Sequence, residues 1–168
     1  VRKPADLAVQ KIRMMGNPLF VDTMNAMGGS GISMGMGELF SAMQTGVVDG
    51  AENNEPTYAT HNHFTVAKFY NYTGHLSIPE IFVFSKTKWN KLSAEDQALI
   101  KKLAREAQMD QRKLWDEKVA DSIAKMKAAG VTMVTDVDYN AFFKATQPVR
   151  DKYGAAYADL IKRIQAVK

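Results

Sequence analysis

The sequence predicts an α/β fold, and three observations lead to that prediction. Short apolar runs typical of strands alternate with segments of helical spacing, in the order β, α, α, β, α, β, β. Of the 168 residues, 46% are apolar and 24% charged, which is the composition of a globular chain that can bury a core. One helix is expected over residues 94–129, because Ser93 can cap it and no glycine or proline interrupts it before Gly130. At about 1.5 Å per residue it would be roughly 50 Å long, enough to cross between lobes or pack on a partner.

The first elements follow from local signals. Residues 11–15 alternate charged and apolar side chains, which predicts a half-buried strand with Lys11 and Arg13 on one face. Asn17 and the following proline predict the start of a helix. The glycine-rich stretch 30–37 is expected to be a loop. The remaining predicted elements are a short helix at 38–45, a strand that begins at 47–48 and runs out into the polar stretch 49–54, strands at 66–72 and 81–84 (the last buried on both faces), a strand at 131–134, and helices at 137–145 and 154–168.

Charge and composition exclude several classes of function. The net charge of +4 comes from 22 basic and 18 acidic residues that are interleaved along the chain, which indicates a mixed, solvated surface and no nucleic-acid partner. There is no cysteine, so thiolate zinc sites, a thiol nucleophile and disulfides are excluded. No apolar run approaches the roughly 20 residues that span a bilayer.

Catalysis and metal binding are also not expected. The sequence has no serine or threonine with a histidine at a recognisable spacing, no phosphate-binding glycine loop and no paired carboxylates in an apolar setting. His61, His63 and His75 do not have the spacing of a metal-ligand set. We therefore predict no enzyme activity, no catalytic residue, no cofactor and no metal.

Three segments carry a resemblance to a known family. They are residues 4–7 (PADL) leading into 11–13 (KIR), residues 37–53 (GELFSAMQTGVVDGAEN) and residues 84–93 (FSKTKWNKLS). Their order, spacing and the long helix that follows resemble the solute-binding proteins of TRAP-type transporters, over essentially the whole chain. Members of this family have two α/β lobes joined by hinge strands and braced by a long helix, with ligand held in the cleft.

The resemblance implies a periplasmic-binding-protein-like (type II) fold that lacks most of the N-terminal lobe, because family members are about twice as long. Residues 1–78 would form the ligand-binding α/β lobe. Residues 79–130 would supply a crossover strand and the long helix that join the lobes, and residues 131–168 would return to the C-terminal lobe.

The resemblance also implies the binding residues. The family arginine that matches Arg13 clamps the ligand carboxylate, a role that suits the parallel N–H donors of a guanidinium. Asn53 matches a ligand-contacting amide, and Glu52 is expected to orient its neighbours. The family position that matches Met36 usually holds an aromatic side chain that packs on the ligand, and here methionine takes its place.

The ligand implied is a small carboxylate. The doubled asparagine, Tyr58 and His75 resemble the branch that binds sugar acids such as uronates, whose hydroxyls need mixed donors and acceptors. A four-carbon dicarboxylate or another organic acid is the alternative. The implied partners are the membrane subunits of a TRAP transporter, and the implied location is the periplasm.

A self-associating interaction module is the alternative from another class. An uncovered strand at residues 81–84, or the long helix, could mediate a dimer or a domain swap.

Overall fold

The computed structural model describes residues 1–167. They form a mixed α/β structure with two small parallel sheets and one long helix. The strands are β1 (Lys11–Met14), β2 (Ser30–Ser33), β3 (Gly50–Ala51), β4 (Phe69–Asn71) and β5 (Thr132–Val134). The helices are α1 (Pro18–Ala26), α2 (Met36–Gln44), α3 (Glu55–Thr60), α4 (Lys86–Trp89), α5 (Ala94–Ala128), α6 (Tyr139–Ala145), α7 (Gln147–Gly154) and α8 (Ala158–Gln165).

The first sheet has the order β2-β1-β3, with β1 in the centre and all strands parallel. In its register Arg13 lies opposite Ile32 of β2 and Ala51 of β3. The alternation predicted for β1 is wrong in one respect: Lys11 is exposed, whereas the next three residues are all buried. A central parallel strand is covered on both faces, so alternation of burial is lost.

The predicted loop at residues 30–37 is also wrong, because residues 30–33 form β2. Glycine here permits close packing: a Cβ atom on Gly31 would lie 2.9 Å from the carbonyl oxygen of Val21 in α1. The backbone of β2 can therefore approach α1 more closely than any side chain would allow.

Helix α1 starts as predicted, since the Asn17 side chain accepts a hydrogen bond of 2.9 Å from the Leu19 amide. Met24 of its inner face and Met27 at its C-terminal end are buried against Leu7, Ile12 and Met14. This cluster is the main apolar core beside β1.

The second sheet pairs β4 with β5 in parallel. It lies at the end of α5, where Met126 is fully buried with Tyr58, Ala59 and Val131. Helix α5 confirms the prediction of a long helix, with Ser93 capping it through the Asp96 amide. Only Ser122 and Met126 of this helix are buried, so it is held to the rest of residues 1–167 mainly at its C-terminal end. No helix within residues 1–167 is both long enough and apolar enough to cross a membrane.

Three further predicted elements differ from the structure. The strand predicted to begin at Val47 and Val48 is β3 (Gly50–Ala51), and the two valines precede it in a bend. Residues 81–84 pair with no strand among the described residues, and Phe82 is 79% exposed; a strand needs a neighbour to satisfy its backbone, and this part of the chain has none there. The helix predicted from 154 onward is instead α7, a 3-10 turn at Ala155–Tyr157 and α8. Its predicted last residue, Lys168, lies outside the described residues.

Candidate functional site

The candidate site lies at the carboxyl edge of the three-stranded sheet. Because β1, β2 and β3 are parallel, their carboxyl ends meet at one edge. Arg13 lies near the end of β1, Met34 directly follows β2, and Glu52 and Asn53 directly follow β3. Open α/β sheets hold ligands at this edge, so the topology brings together residues that are up to 40 positions apart in the chain.

Arg13 is the most unusual residue at this edge, since only 3% of it is exposed. Its Nε atom donates a hydrogen bond of 2.8 Å to the carbonyl oxygen of Met34. Its Nη1 atom is buried and has no hydrogen-bond partner, and no salt bridge within residues 1–167 involves Arg13. Burying a cation without an anion is costly. The hydrogen bond to Met34 orients the guanidinium, and the Nη1 atom keeps its donor capacity for an anion.

Glu52 lies beside Arg13, half-buried. Its backbone amide donates to the Arg13 carbonyl oxygen at 3.4 Å, which completes the pairing of Arg13 with Ala51 at the end of β3. Burial raises the pKa of the Glu52 carboxyl, and the Arg13 cation opposes that rise. The Glu52 carboxylate thus partly offsets the positive charge of Arg13 without forming a salt bridge with it.

Asn53 follows directly, also half-buried. Its side-chain oxygen accepts a hydrogen bond of 3.0 Å from the Asn54 amide, which leaves the side-chain NH₂ group available as a donor. Its backbone carbonyl accepts a hydrogen bond of 2.9 Å from the Tyr70 hydroxyl. Asn54 itself caps α3 by accepting from the Thr57 amide at 2.9 Å, so the two adjacent asparagines have different tasks.

Met36 is the first residue of α2, two positions after Met34. It packs, half-buried, against the apolar cluster formed by Leu39, Ala42 and Val48. The residue thus lies close in sequence to the carbonyl that holds Arg13, with its flexible apolar side chain packed on this cluster.

His75 lies in the segment that follows β4, four residues after its last residue. Its Nδ1 atom is 2.6 Å from the Thr73 hydroxyl, and burial lowers the pKa of its imidazole. The Nε2 atom is buried without a partner; within residues 1–167 it shares that property only with Nη1 of Arg13. The structure shows no hydrogen bond between His75 and Arg13 or Asn53, so it does not join His75 to the cluster at the sheet edge.

Sequence reasoning did not single out Tyr70 as a site residue. Tyr70 and Tyr72 lie two residues apart on and just after β4, with ring centroids 5.0 Å apart, and the Tyr70 hydroxyl reaches Asn53. The spacing of two, which places side chains on one face of a strand, was the available signal. By contrast, the Tyr58 hydroxyl donates to the carbonyl oxygen of Ala67 in the core, so it is already engaged within the lobe.

The parallel sheet, the polar groups at its carboxyl edge and the long helix agree with the type II periplasmic-binding-protein fold that the resemblance implies. The particular family follows from comparison with known proteins. The family model DctP, bacterial extracellular solute-binding protein, family 7, matches residues 1–156, and the chain belongs to this family. The resemblance predicted from the three sequence segments is thereby confirmed.

Individual relatives agree with this assignment. A TRAP periplasmic solute-binding protein from Pseudomonas putida F1, solved with bound D-glucuronate, is 62% identical with a TM-score of 0.94, over 100% of this chain and 55% of that one. A TRAP protein from Sulfitobacter sp. NAS-14.1, solved with bound β-D-galacturonate, is 40% identical with a TM-score of 0.88, over 96% and 54% of the two chains. A solute-binding protein from Chromohalobacter salexigens is 38% identical over 95% of this chain and 48% of its own length. The chain therefore spans about half the length of the relatives it matches.

Proposed function

We propose that this chain is the arginine-bearing half of an extracytoplasmic solute-binding protein that captures a uronate for a TRAP transporter. The observation that carries the proposal is the buried, partnerless Nη1 atom of Arg13 at the carboxyl edge of the sheet. A carboxylate placed there would supply the missing anion and could accept two hydrogen bonds from the guanidinium.

The polar groups around Arg13 would hydrogen-bond the sugar hydroxyls. The free NH₂ group of Asn53 provides a donor and the Glu52 carboxyl an acceptor, while Met36 would cover an apolar face of the ring. His75 would contribute its partnerless Nε2 atom once ligand and the adjoining lobe enclose the site. Two solved relatives that hold glucuronate and galacturonate favour a uronate over the four-carbon dicarboxylate that was the alternative.

We further propose that the chain is divided into the three segments that the sequence predicts. Residues 1–78 hold ligand, residues 79–130 lead across to the other lobe through α5, and residues 131–168 return. The pairing of β5 with β4 supports the last step, because residues just after α5 rejoin the sheet beside Asn53. Binding would be reversible, without catalysis or cofactor, in the periplasm, and the loaded protein would be delivered to the membrane subunits of the transporter.

A thermal-shift screen of the full-length protein tests this function. D-glucuronate and D-galacturonate should raise the melting temperature in proportion to the logarithm of concentration, because a ligand that binds only the folded state stabilises it by mass action. Succinate and malate are the comparison for the dicarboxylate alternative. A protein that responds to these acids and not to uronates, or to no carboxylate at all, would contradict the proposal.

Self-association is a second candidate, favoured by the exposed apolar side chains at Ile81, Phe82 and Val83, which are 75%, 79% and 75% exposed. An uncovered apolar segment of this kind can pair with a second molecule. Light scattering during size-exclusion chromatography of the 168-residue chain checks this. A dimer that Phe82→Asp converts to monomer would support it, and a monomer across the accessible concentration range would rule it out.

A further inference from the structure

We infer that Tyr70 is a positioning residue for ligand binding, which fixes the Asn53 amide through a hydrogen bond to the Asn53 backbone. The inference rests on the proposed function, because it assigns to Asn53 a direct contact with the sugar acid. The inference assigns Tyr70 no direct contact with ligand, because its hydroxyl is engaged by the Asn53 carbonyl oxygen.

The Tyr70 hydroxyl donates to the Asn53 carbonyl oxygen at 2.9 Å across 17 residues of sequence. Asn53 follows β3 of the first sheet, whereas Tyr70 lies in β4 of the second. This bond therefore ties the carboxyl edge of one sheet to the other.

Asn53 needs such a restraint, because β3 has only two residues and ends just before it. On one side, the Glu52 amide holds the chain to the Arg13 carbonyl at 3.4 Å. On the other, the peptide that leads from Asn53 to Asn54 has its carbonyl oxygen held by Tyr70. The peptide before Glu52 and the peptide after Asn53 are thus both held. These two restraints limit the distance and direction of the Asn53 side chain relative to Arg13, and preorganisation of this kind raises affinity by lowering the ordering cost of binding.

Tyr70 is well held for this purpose. Its ring meets Tyr58 edge to face at 5.2 Å and Tyr72 at 5.0 Å, and it packs on the cluster that contains Met126 at the end of α5. Burial, followed by the nearby Glu55 carboxylate, raises the pKa of the Tyr70 hydroxyl above its usual range. The hydroxyl thus stays protonated as a donor under all physiological conditions.

Tyr58 offers a matched control. It belongs to the same aromatic cluster, and its hydroxyl also donates to a backbone carbonyl, but that carbonyl belongs to Ala67 in the core. Tyr70→Phe and Tyr58→Phe each remove one hydroxyl from neighbouring rings. Only the hydroxyl of Tyr70 is hydrogen-bonded to Asn53.

The experiment is a double-mutant cycle on the full-length protein, with the dissociation constant for D-glucuronate measured by isothermal titration calorimetry. Tyr70→Phe should weaken binding by about 3- to 10-fold, the range for one hydrogen bond. In an Asn53→Ala background the same change should have no further effect, since there is no amide left to position. Tyr58→Phe should lower the melting temperature yet leave the dissociation constant within about twofold.

The alternative outcomes separate the two claims. If Asn53→Ala weakens binding and Tyr70→Phe does not, the inference is wrong and the proposed function stands. Equal losses from Tyr70→Phe in both backgrounds would show that the hydroxyl acts independently of Asn53, which also overturns the inference. If the unmodified protein does not bind D-glucuronate, or Asn53→Ala has no effect, the proposed role of Asn53 fails and the inference with it.

Discussion

The Nε atom of Arg13 donates a hydrogen bond of 2.8 Å to the carbonyl oxygen of Met34. This contact joins the end of β1 to the residue that follows β2, and it fixes the plane of the guanidinium. One edge of the group is satisfied by the protein, while Nη1 remains buried without a partner. The arrangement favours ligand binding at the expense of the stability of the empty protein.

Replacing Arg13 should therefore have opposite effects on affinity and on stability. Arg13→Met should abolish measurable uronate binding, at a cost of about 2–5 kcal/mol. It should leave the free energy of unfolding of the ligand-free protein unchanged or higher, because an unpaired buried charge is removed. Calorimetric titration and urea unfolding measure the two quantities.

Arg13→Lys is the charge-preserving control. Lysine lacks the planar pair of donors that can serve Met34 and a carboxylate together, so affinity should still fall at least about tenfold. Retention of full affinity in this variant would show that charge alone matters and would contradict the geometric account.

Replacing Asn53 and replacing Asn54 should have different effects on affinity and on stability. Asn54 caps α3, so Asn54→Ala should lower the free energy of unfolding by about 1 kcal/mol and leave uronate affinity nearly unchanged. Asn54→Ser, which keeps a capping oxygen, should retain the stability. Loss of affinity in Asn54→Ala that exceeds the loss in Asn53→Ala would reverse the assignment of the two residues.

Stability should decrease as pH falls below about 6.5, the ordinary pKa of histidine. Burial lowers the pKa of both His75 and His63 in the folded protein. The unfolded state therefore binds more protons in this range, which makes the free energy of unfolding rise with pH. Burial raises the pKa of Glu52 above its ordinary value of 4.5. In the pH range just above 4.5 the folded state therefore binds more protons than the unfolded state at this group, so its contribution to the free energy of unfolding falls as pH rises.

Urea unfolding at pH 7.5 and 5.5 without ligand measures this slope. His75→Gln should flatten it relative to the unmodified protein, and adding His63→Gln should flatten it further. An unchanged slope in the double variant would exclude these two groups as its source.

Close packing of β2 on α1 should make Gly31 intolerant of a side chain. A Cβ atom there would lie 2.9 Å from the Val21 carbonyl oxygen and 3.2 Å from its Cα atom, so Gly31→Ala should destabilise the fold by about 1–3 kcal/mol. Gly37 in α2 is the matched control, since a Cβ atom there meets nothing within 4 Å. Gly37→Ala should stabilise by about 0.5–1 kcal/mol, and equal thermal shifts in the two variants would contradict the packing argument.

The sequence alone predicted the α/β class, the family, the cap of α1 by Asn17 and the course of α5. These features depend on signals within a few residues of one another, such as a capping side chain followed by proline, or an unbroken helical spacing. It also singled out Arg13 and His75, which hold the partnerless buried nitrogen atoms among the described residues.

Tertiary structure decided what depends on neighbours distant in the chain. Residues 30–33 of the glycine-rich stretch form β2 because they pair in parallel with β1. Arg13 is buried because β1 is covered on both sides. Residues 81–84 have the composition of a strand but remain exposed, since no strand among the described residues lies beside them. The role proposed for Tyr70 depends on the hydrogen bond from its hydroxyl to the Asn53 carbonyl oxygen, which joins the two sheets and is set by how they pack.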